Sequence, residues 1–265
     1  MNHPLAVISG GSSGIGLACA RLLGGEGCRV ALLGRDEARL AAAAGALRAE
    51  GIAVEARSLD VRDGPRCARV VDALAAEFGP PLWVIASAGI VEPGFFLDQD
   101  PALLEEQVAT NLLGTCHLVR AAAPAMAEAG RGHIILVSSG AGLFGVAGYG
   151  GYCATKFAVR GLGEVLRIEL AVAGVGVTVA VPPDTDTPQL AHELSRRPRA
   201  IAAFAAGGPP LSAEAVARHM IRTARRGGFL SAPSWKLRAI AALGDLVRHR
   251  LAAIQMRLLA GRRAP

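Results

Sequence analysis

Through residue 230, short apolar runs alternate with longer stretches in which apolar residues recur every three or four positions. Leu5-Ala6-Val7-Ile8, Val30-Ala31-Leu32-Leu33 and Ile134-Ile135-Leu136-Val137 are runs of the first kind. Runs of this length without polar alternation suit strands covered on both faces. They predict strands near residues 5–9, 29–33, 53–58, 82–86, 133–138 and 176–181, with helices between them. The stretch holding Leu17, Ala18, Ala20, Leu22 and Leu23 has the helical period. Strands that alternate with helices imply an α/β protein with a doubly wound, mainly parallel sheet and helices on both faces.

The pattern changes toward the C-terminus. Leu237, Ile240, Gly244, Val247, Leu251, Ile254 and Leu258 recur at helical spacing among Lys236, Arg238, Arg248, Arg250, Arg257, Arg262 and Arg263. Two units are therefore expected: a main domain over residues 1–230 and a basic amphipathic helical extension over 231–265. Residues 218–265 carry eleven Lys/Arg and one acid, Asp245, whereas the whole chain is only +6. The high pI thus describes a basic tail on a mildly acidic body. A basic amphipathic stretch with Trp235 at one end suits an anionic membrane surface; its apolar stripe equally suits packing on its own domain or on a partner subunit. No apolar run reaches the eighteen or so residues that would cross a bilayer, so lying on the membrane is expected rather than crossing it. No nucleic-acid partner is expected, because the extension lacks a base-reading motif and Trp235 is its one aromatic.

At 265 residues the chain is long enough for a large core, and it shows no internal repeat. Cys19, Cys28, Cys67, Cys116 and Cys153 are scattered and odd in number, and the six histidines are dispersed, so neither a disulfide framework nor a metal site is expected. Met1-Asn2-His3-Pro4 leads straight into the first strand, which makes a reducing cytoplasm the expectation.

Three clusters carry chemistry. Ser9-Gly10-Gly11-Ser12-Ser13-Gly14-Ile15-Gly16 lies between a predicted strand and a predicted helix, the context in which backbone N–H groups cradle a dinucleotide phosphate. Tyr152 and Lys156 are four residues apart, on one face of a helix, where an ammonium favours a phenolate and the phenol can exchange a proton with an alcohol or ketone. Ser139 closes the run before them, at the carboxyl end of a buried strand where ligands bind in open α/β sheets. Together they point to carbonyl reduction or alcohol oxidation with a nicotinamide cofactor.

These motifs, in this order over roughly residues 4–230, resemble the short-chain dehydrogenase/reductase family, which implies a Rossmann-type fold. The resemblance matches Gly10, Gly14 and Gly16 to the glycine turn, Asp60-Val61 to the acid that meets the adenine ring, and Asn111, Ser139, Tyr152 and Lys156 to the catalytic residues. It implies that Tyr152 protonates the developing alkoxide, Ser139 holds the carbonyl oxygen, Lys156 favours the tyrosinate and binds the nicotinamide ribose, and Asn111 supports a proton-relay water. Ser12, Ser13, Ile15, Ala88, Gly89, Pro182, Thr185 and Thr187 join the implied cofactor site. Ser87-Ala88-Gly89 stands where the family has Asn-Ala-Gly, which leaves the asparagine's strand-stabilising role unfilled.

The second predicted strand ends in Gly34-Arg35 rather than in the acid that accepts from an adenosine 2′-hydroxyl. A glycine there removes repulsion of a 2′-phosphate, Arg35 can pair with it and Ser12 can add a hydrogen bond, so NADP(H) is the expected cofactor. Asp36 reads as the N-cap of the next helix.

Val181-Pro182-Pro183-Asp184-Thr185-Asp186-Thr187-Pro188 replaces the family's usual Pro-Gly start and is similar to the 3-ketodihydrosphingosine reductase subgroup, as are Ser138 to Gly145 and Tyr152 to Gly163. That resemblance implies NADPH-dependent reduction of a long-chain sphingoid 3-ketone in sphingolipid biosynthesis. A 3-oxoacyl-thioester reductase and a hydroxysteroid- or retinol-type reductase are the alternatives within the family. Leu190, Leu194, Ile201, Phe204 and Leu211 read as an apolar, mobile lid over 183–211, and Phe95, Phe96 and Leu97 stand where an acyl chain could pass. Asp184, Asp186 and Glu92 are the candidates to meet the substrate's ammonium. Assembly as a homodimer or homotetramer through helices near 102–128 and 152–173 is expected from the resemblance, with the protein cytoplasmic or peripheral on the cytoplasmic membrane face.

Overall fold

All six expected strands form, each within one residue of the expected ends: β1 Leu5–Ser9, β2 Arg29–Gly34, β3 Val54–Ser58, β4 Pro81–Ala86, β5 Gly132–Val137 and β6 Val175–Ala180. The computed structural model describes residues 3–205 and 208–260. Three two-residue strands follow, β7 Thr185–Asp186, β8 Leu211–Ser212 and β9 Leu230–Ser231, too short to leave a periodicity in the sequence. Seven strands pair in parallel in the order β3-β2-β1-β4-β5-β6-β9, and β7 and β8 form a separate parallel pair.

The helices are α1 Gly14–Gly25, α2 Glu37–Ala49, α3 Gly64–Phe78, α4 Pro101–Gln107, α5 Gly114–Glu128, α6 Gly150–Ala171, α7 Pro188–Arg196, α8 Ala202–Ala205, α9 Ala213–Arg225, α10 Trp235–Leu243 and α11 Asp245–Ala260. The strands alternate across the sheet. Ala6, Ile8, Val30, Leu32, Ile85 and Ile135 pack with Leu23 of α1, Leu47 of α2 and Met220 of α9. Val7, Leu33, Val84, Ile134 and Leu136 pack with Leu74 of α3, Leu118 of α5 and Val159 of α6 on the other face. Asp36 caps α2 as expected, accepting from Arg39 N at 2.9 Å.

The chain order reverses between β1 and β4, which opens a crevice at their carboxyl ends. Ser9 stabilises that fork. Its buried Oγ accepts from Ser87 N and Ala88 N, both at 3.2 Å. The strand-end role left unfilled at Ser87 is thus performed from the neighbouring strand.

The extension differs from a single amphipathic helix. Gly244, with φ 54°, breaks it into α10 and α11. Leu237 is buried, and Ile240, Val247 and Leu251 are half-buried, so this part of the apolar stripe turns inward, whereas Ile254 and Leu258 remain exposed. Gln255 of α11 is buried, accepting from Ala147 N at 2.8 Å and donating to Gly145 O at 3.0 Å. Arg262 and Arg263 lie outside the described residues. Replacing Ser9 with Ala leaves two half-buried N–H groups without their acceptor; an expected loss of about 1 kcal/mol in stability is measurable by urea denaturation.

Candidate active site

The turn between β1 and α1 is built of backbone. Gly10 and Gly14 have φ of 64° and 53°, a region other residues avoid. A Cβ at Gly16 would lie 2.4 Å from Gly10 O, so the first turn of α1 presses directly on the loop. Ser13 is the N-cap of α1 but makes no side-chain cap bond, which leaves the helix's first N–H groups facing the crevice. Opposite them, a Cβ on Gly89 would stand 3.2 Å from Asn111 Oδ1 and 3.4 Å from Lys156 Nζ. This bare backbone cradle at a helix N-terminus fits a dinucleotide pyrophosphate.

α6 brings Tyr152 and Lys156 together, with the Lys156 Nζ 5.4 Å from the Tyr152 ring centre. The ammonium is buried and donates to Val137 O at 2.9 Å; loss of hydration lowers its pKa to about 8. Burial raises the Tyr152 phenol, opposed by the side chains of Ser139 and Gln189 and reinforced by the charge of Glu193. Desolvation is the largest of these effects. Ser139 caps a short 3₁₀ turn, its Oγ accepting from Ala141 N at 3.1 Å.

Asn111 sits in a π-helical turn, Val108–Leu113, of the kind found often at functional sites. Its Oδ1 accepts from Ile90 N at 2.8 Å, and its Nδ2 donates to Ile90 O at 2.9 Å and to Thr155 Oγ1 at 3.1 Å. It thereby links the loop after β4 to the helix that carries Tyr152 and Lys156.

A cavity of about 830 Å³ joins these parts. Gly10, Ser13, Gly14, Ile15, Ala88, Gly89, Ser139, Tyr152, Lys156, Pro182, Thr185 and Thr187 all line it. Ser12, Gly16, Arg35, Asp60, Val61 and Asn111 do not. Arg35, Asp60 and Ser12 gather instead at the ends of β2 and β3. There the Ser12 hydroxyl lies 3.7 Å from where a Gly34 Cβ would be, and Arg35 Nη1 is 3.9 Å from Glu106. Asp60 is paired with Arg62 at 2.6 Å, which holds its carboxyl below the usual range. Arg62 is a second cation at this corner that sequence reasoning overlooked.

The segment expected to form a mobile lid is tied at both ends. Thr185 and Asp186 pair with Leu211 and Ser212, Thr187 caps α7, and Ile201 is fully buried against Tyr149 and Tyr152. Leu190, Phe204 and Leu211 line the cavity as expected, whereas Leu194 is exposed. Phe95, Phe96 and Leu97 are exposed and stay outside its wall; the apolar side is supplied by Phe144 and by Leu237, Ile240 and Leu251 of the extension. Of the three carboxylates proposed for an ammonium, only Asp184 lines the cavity, while Glu92 pairs with His192 at 2.7 Å and Asp186 is exposed. Tyr149, Gln189, Glu193 and Arg197 also line it and were not anticipated. The i, i+4 spacing of Gln189 and Glu193 after the Thr187-Pro188 helix start was the available signal.

Residues 4–198 match the short chain dehydrogenase family. A 3-dehydrosphinganine reductase of Arabidopsis thaliana is 38% identical over 226 residues, covering 84% of this chain and 67% of the relative. The 3-ketodihydrosphingosine reductase of Bos taurus is 34% identical over 230 residues, covering 85% and 69%. Among solved structures, a short chain dehydrogenase/reductase from Burkholderia phymatum in complex with NAD superposes with a TM-score of 0.83 at 28% identity, over 96% of this chain and 95% of that one. A metagenomic short-chain oxidoreductase in complex with NADP gives a TM-score of 0.65 at 36% identity, over 68% and 81%. Sequence, fold and site agree that the chain belongs to the short-chain dehydrogenase/reductase family of oxidoreductases.

Proposed function

We propose that this protein reduces the 3-keto group of 3-ketodihydrosphingosine to dihydrosphingosine with NADPH, a step of sphingolipid biosynthesis. The cavity carries the reading: one continuous space joins the glycine cradle, the Ser139-Tyr152-Lys156 cluster and an apolar wall from the lid and the extension. Relatives named for this reaction, 33–38% identical to the chain, supply the substrate class.

The cradle residues Gly10, Ser13, Gly14, Ile15, Ala88 and Gly89, with Pro182, Thr185 and Thr187 opposite, would hold the dinucleotide, and Ser12 and Arg35 its 2′-phosphate. The bound nicotinamide supplies the hydride that reduces the ketone carbon. Tyr152, kept protonated by burial, gives its proton to the developing alkoxide. The Ser139 hydroxyl hydrogen-bonds the same oxygen and holds it in line. Lys156, charged below pH about 8, stabilises the tyrosinate left behind and would bind the ribose hydroxyls. Asn111 positions both through Thr155 and Ile90.

Assembly and location belong to the same proposal. α6 and its C-cap residue present Val165, Ile168 and Val172 to solvent at helical spacing, an apolar stripe that suits a homodimer or homotetramer interface. No helix among the described residues is long and apolar enough to cross a membrane. Trp235, Leu243, Leu246 and Met256 are exposed beside Arg250 and Arg257, which suits peripheral binding on the cytoplasmic face of an anionic membrane. These residues, rather than the inward half of the stripe, would touch lipid.

The first test is NADPH oxidation with 3-ketodihydrosphingosine in mixed micelles. Turnover is expected with NADPH and not with NADH, Arg35→Ala should narrow that preference about tenfold or more, and Tyr152→Phe should lower kcat by roughly 10²–10⁴-fold while NADPH still binds. Turnover of 3-oxoacyl thioesters or steroids in place of the sphingoid ketone would overturn the substrate assignment. Ile168→Glu is expected to lower the sedimentation coefficient to that of a monomer; an unchanged value rejects the α6 interface. Trp235→Ser combined with Leu246→Ser should release the protein from phosphatidylserine vesicles in co-sedimentation, and unchanged binding would rule out this lipid-facing surface.

A further inference from the structure

Tyr149, Asp184, Glu193 and Arg197 line the cavity but take no part in the steps above. They form one network. The buried Arg197 guanidinium reaches Asp184 at 3.2 Å and also pairs with Glu193, while its Nε donates to the Tyr149 hydroxyl at 2.9 Å. Tyr149 donates in turn to Glu193 Oε1 at 2.8 Å. One guanidinium faces two carboxylates, so the network is one negative charge in excess, and the Glu193 side chain is only 13% exposed. An unbalanced charge in so dry a place is costly, and a cationic group bound beside it offsets the cost. Asp184 and Glu193 are the only anions in the cavity wall among the described residues; Lys156, Arg197 and Lys236 are its cations.

Position narrows the choice. Gln189 and Glu193 are one turn apart on the same face of α7. Tyr149, whose hydroxyl bonds the Glu193 carboxylate, packs edge-on against Tyr152 with ring centres 6.5 Å apart, and Tyr152, Gln189 and Glu193 share the cavity wall. The Glu193 carboxylate therefore stands one side chain away from the Tyr152 ring. In the proposed substrate, the carbon bearing the ammonium is bonded directly to the carbonyl carbon. A carbonyl oxygen held by Ser139 and Tyr152 thus leaves the ammonium in the part of the cavity that α7 walls.

We infer that Glu193 receives the ammonium of the substrate, with Arg197 and Tyr149 fixing its carboxylate and Asp184 adding negative charge behind it. This inference rests on the function proposed above and makes the enzyme selective for 2-amino ketones over uncharged ketones.

The test compares kcat/KM for 3-ketodihydrosphingosine and for the ketone of equal chain length lacking the 2-amino group, each with NADPH. The wild-type protein should favour the amino ketone by about tenfold or more. Glu193→Gln, which keeps the shape and can still accept from Tyr149 and Arg197, should reduce that ratio by about the same factor, and Glu193→Asp should restore part of it. Equal use of both ketones by the wild type overturns the inference without any variant. So does a Glu193→Gln protein that loses activity on both ketones alike, since that is the result of a merely structural role. Reduction of neither ketone overturns the proposed function itself, and the inference with it.

Discussion

The site depends on how one helix is fastened to one strand. Lys156 reaches back from α6 to donate to Val137 O at the end of β5, and Ser138, the next residue, donates from its hydroxyl to Lys156 O at 2.8 Å. Gly142 lets the two come this close, because a Cβ there would lie 2.3 Å from the Ser138 hydroxyl. Both bonds are buried, where losing one leaves a polar group without a partner. The register of α6 against β5 is thereby set, and with it the meeting of Tyr152 with Ser139. Asn111 holds the other side of α6 through Thr155, so the helix is tied both to the end of β5 and to the loop after β4.

Burial then sets the chemistry. The same dryness raises the Tyr152 phenol and lowers Lys156, in both cases against the charged form. Desolvation also explains why the polar network at Arg197 matters: charges that water would screen at the surface act across a few ångströms inside the cavity. Fold and function meet in the extension as well. Its first half closes the apolar side of the cavity through Leu237, Ile240 and Leu251, and Gln255 grips the loop that leads into α6.

Much of this was legible in order along the chain. Unbroken apolar runs located the six long strands, because a strand covered on both faces has no polar positions to interrupt it. The glycine turn, the Tyr152–Lys156 spacing and Ser139 at a strand end were each local patterns with a local physical cause. The two-residue strands were not legible, since two residues carry no period. Nor was the destination of the stripe from Leu237 to Leu258, because periodicity says that a helix has an apolar face and not what covers it.

What the sequence determined alone is therefore the layered α/β sheet, the glycine turn between its first strand and helix, and the placing of Tyr152 and Lys156 on one helix, all of which arise from short-range spacing. Tertiary structure decided the rest. It joined Tyr149, Asp184, Glu193 and Arg197, which come from three separate stretches of chain, into one network facing the cavity. It moved Glu92 and the Phe95–Leu97 segment out of the cavity wall and turned part of the extension inward. Those outcomes depend on which surfaces exclude water from one another, and that is a property of the packed chain rather than of any segment in it.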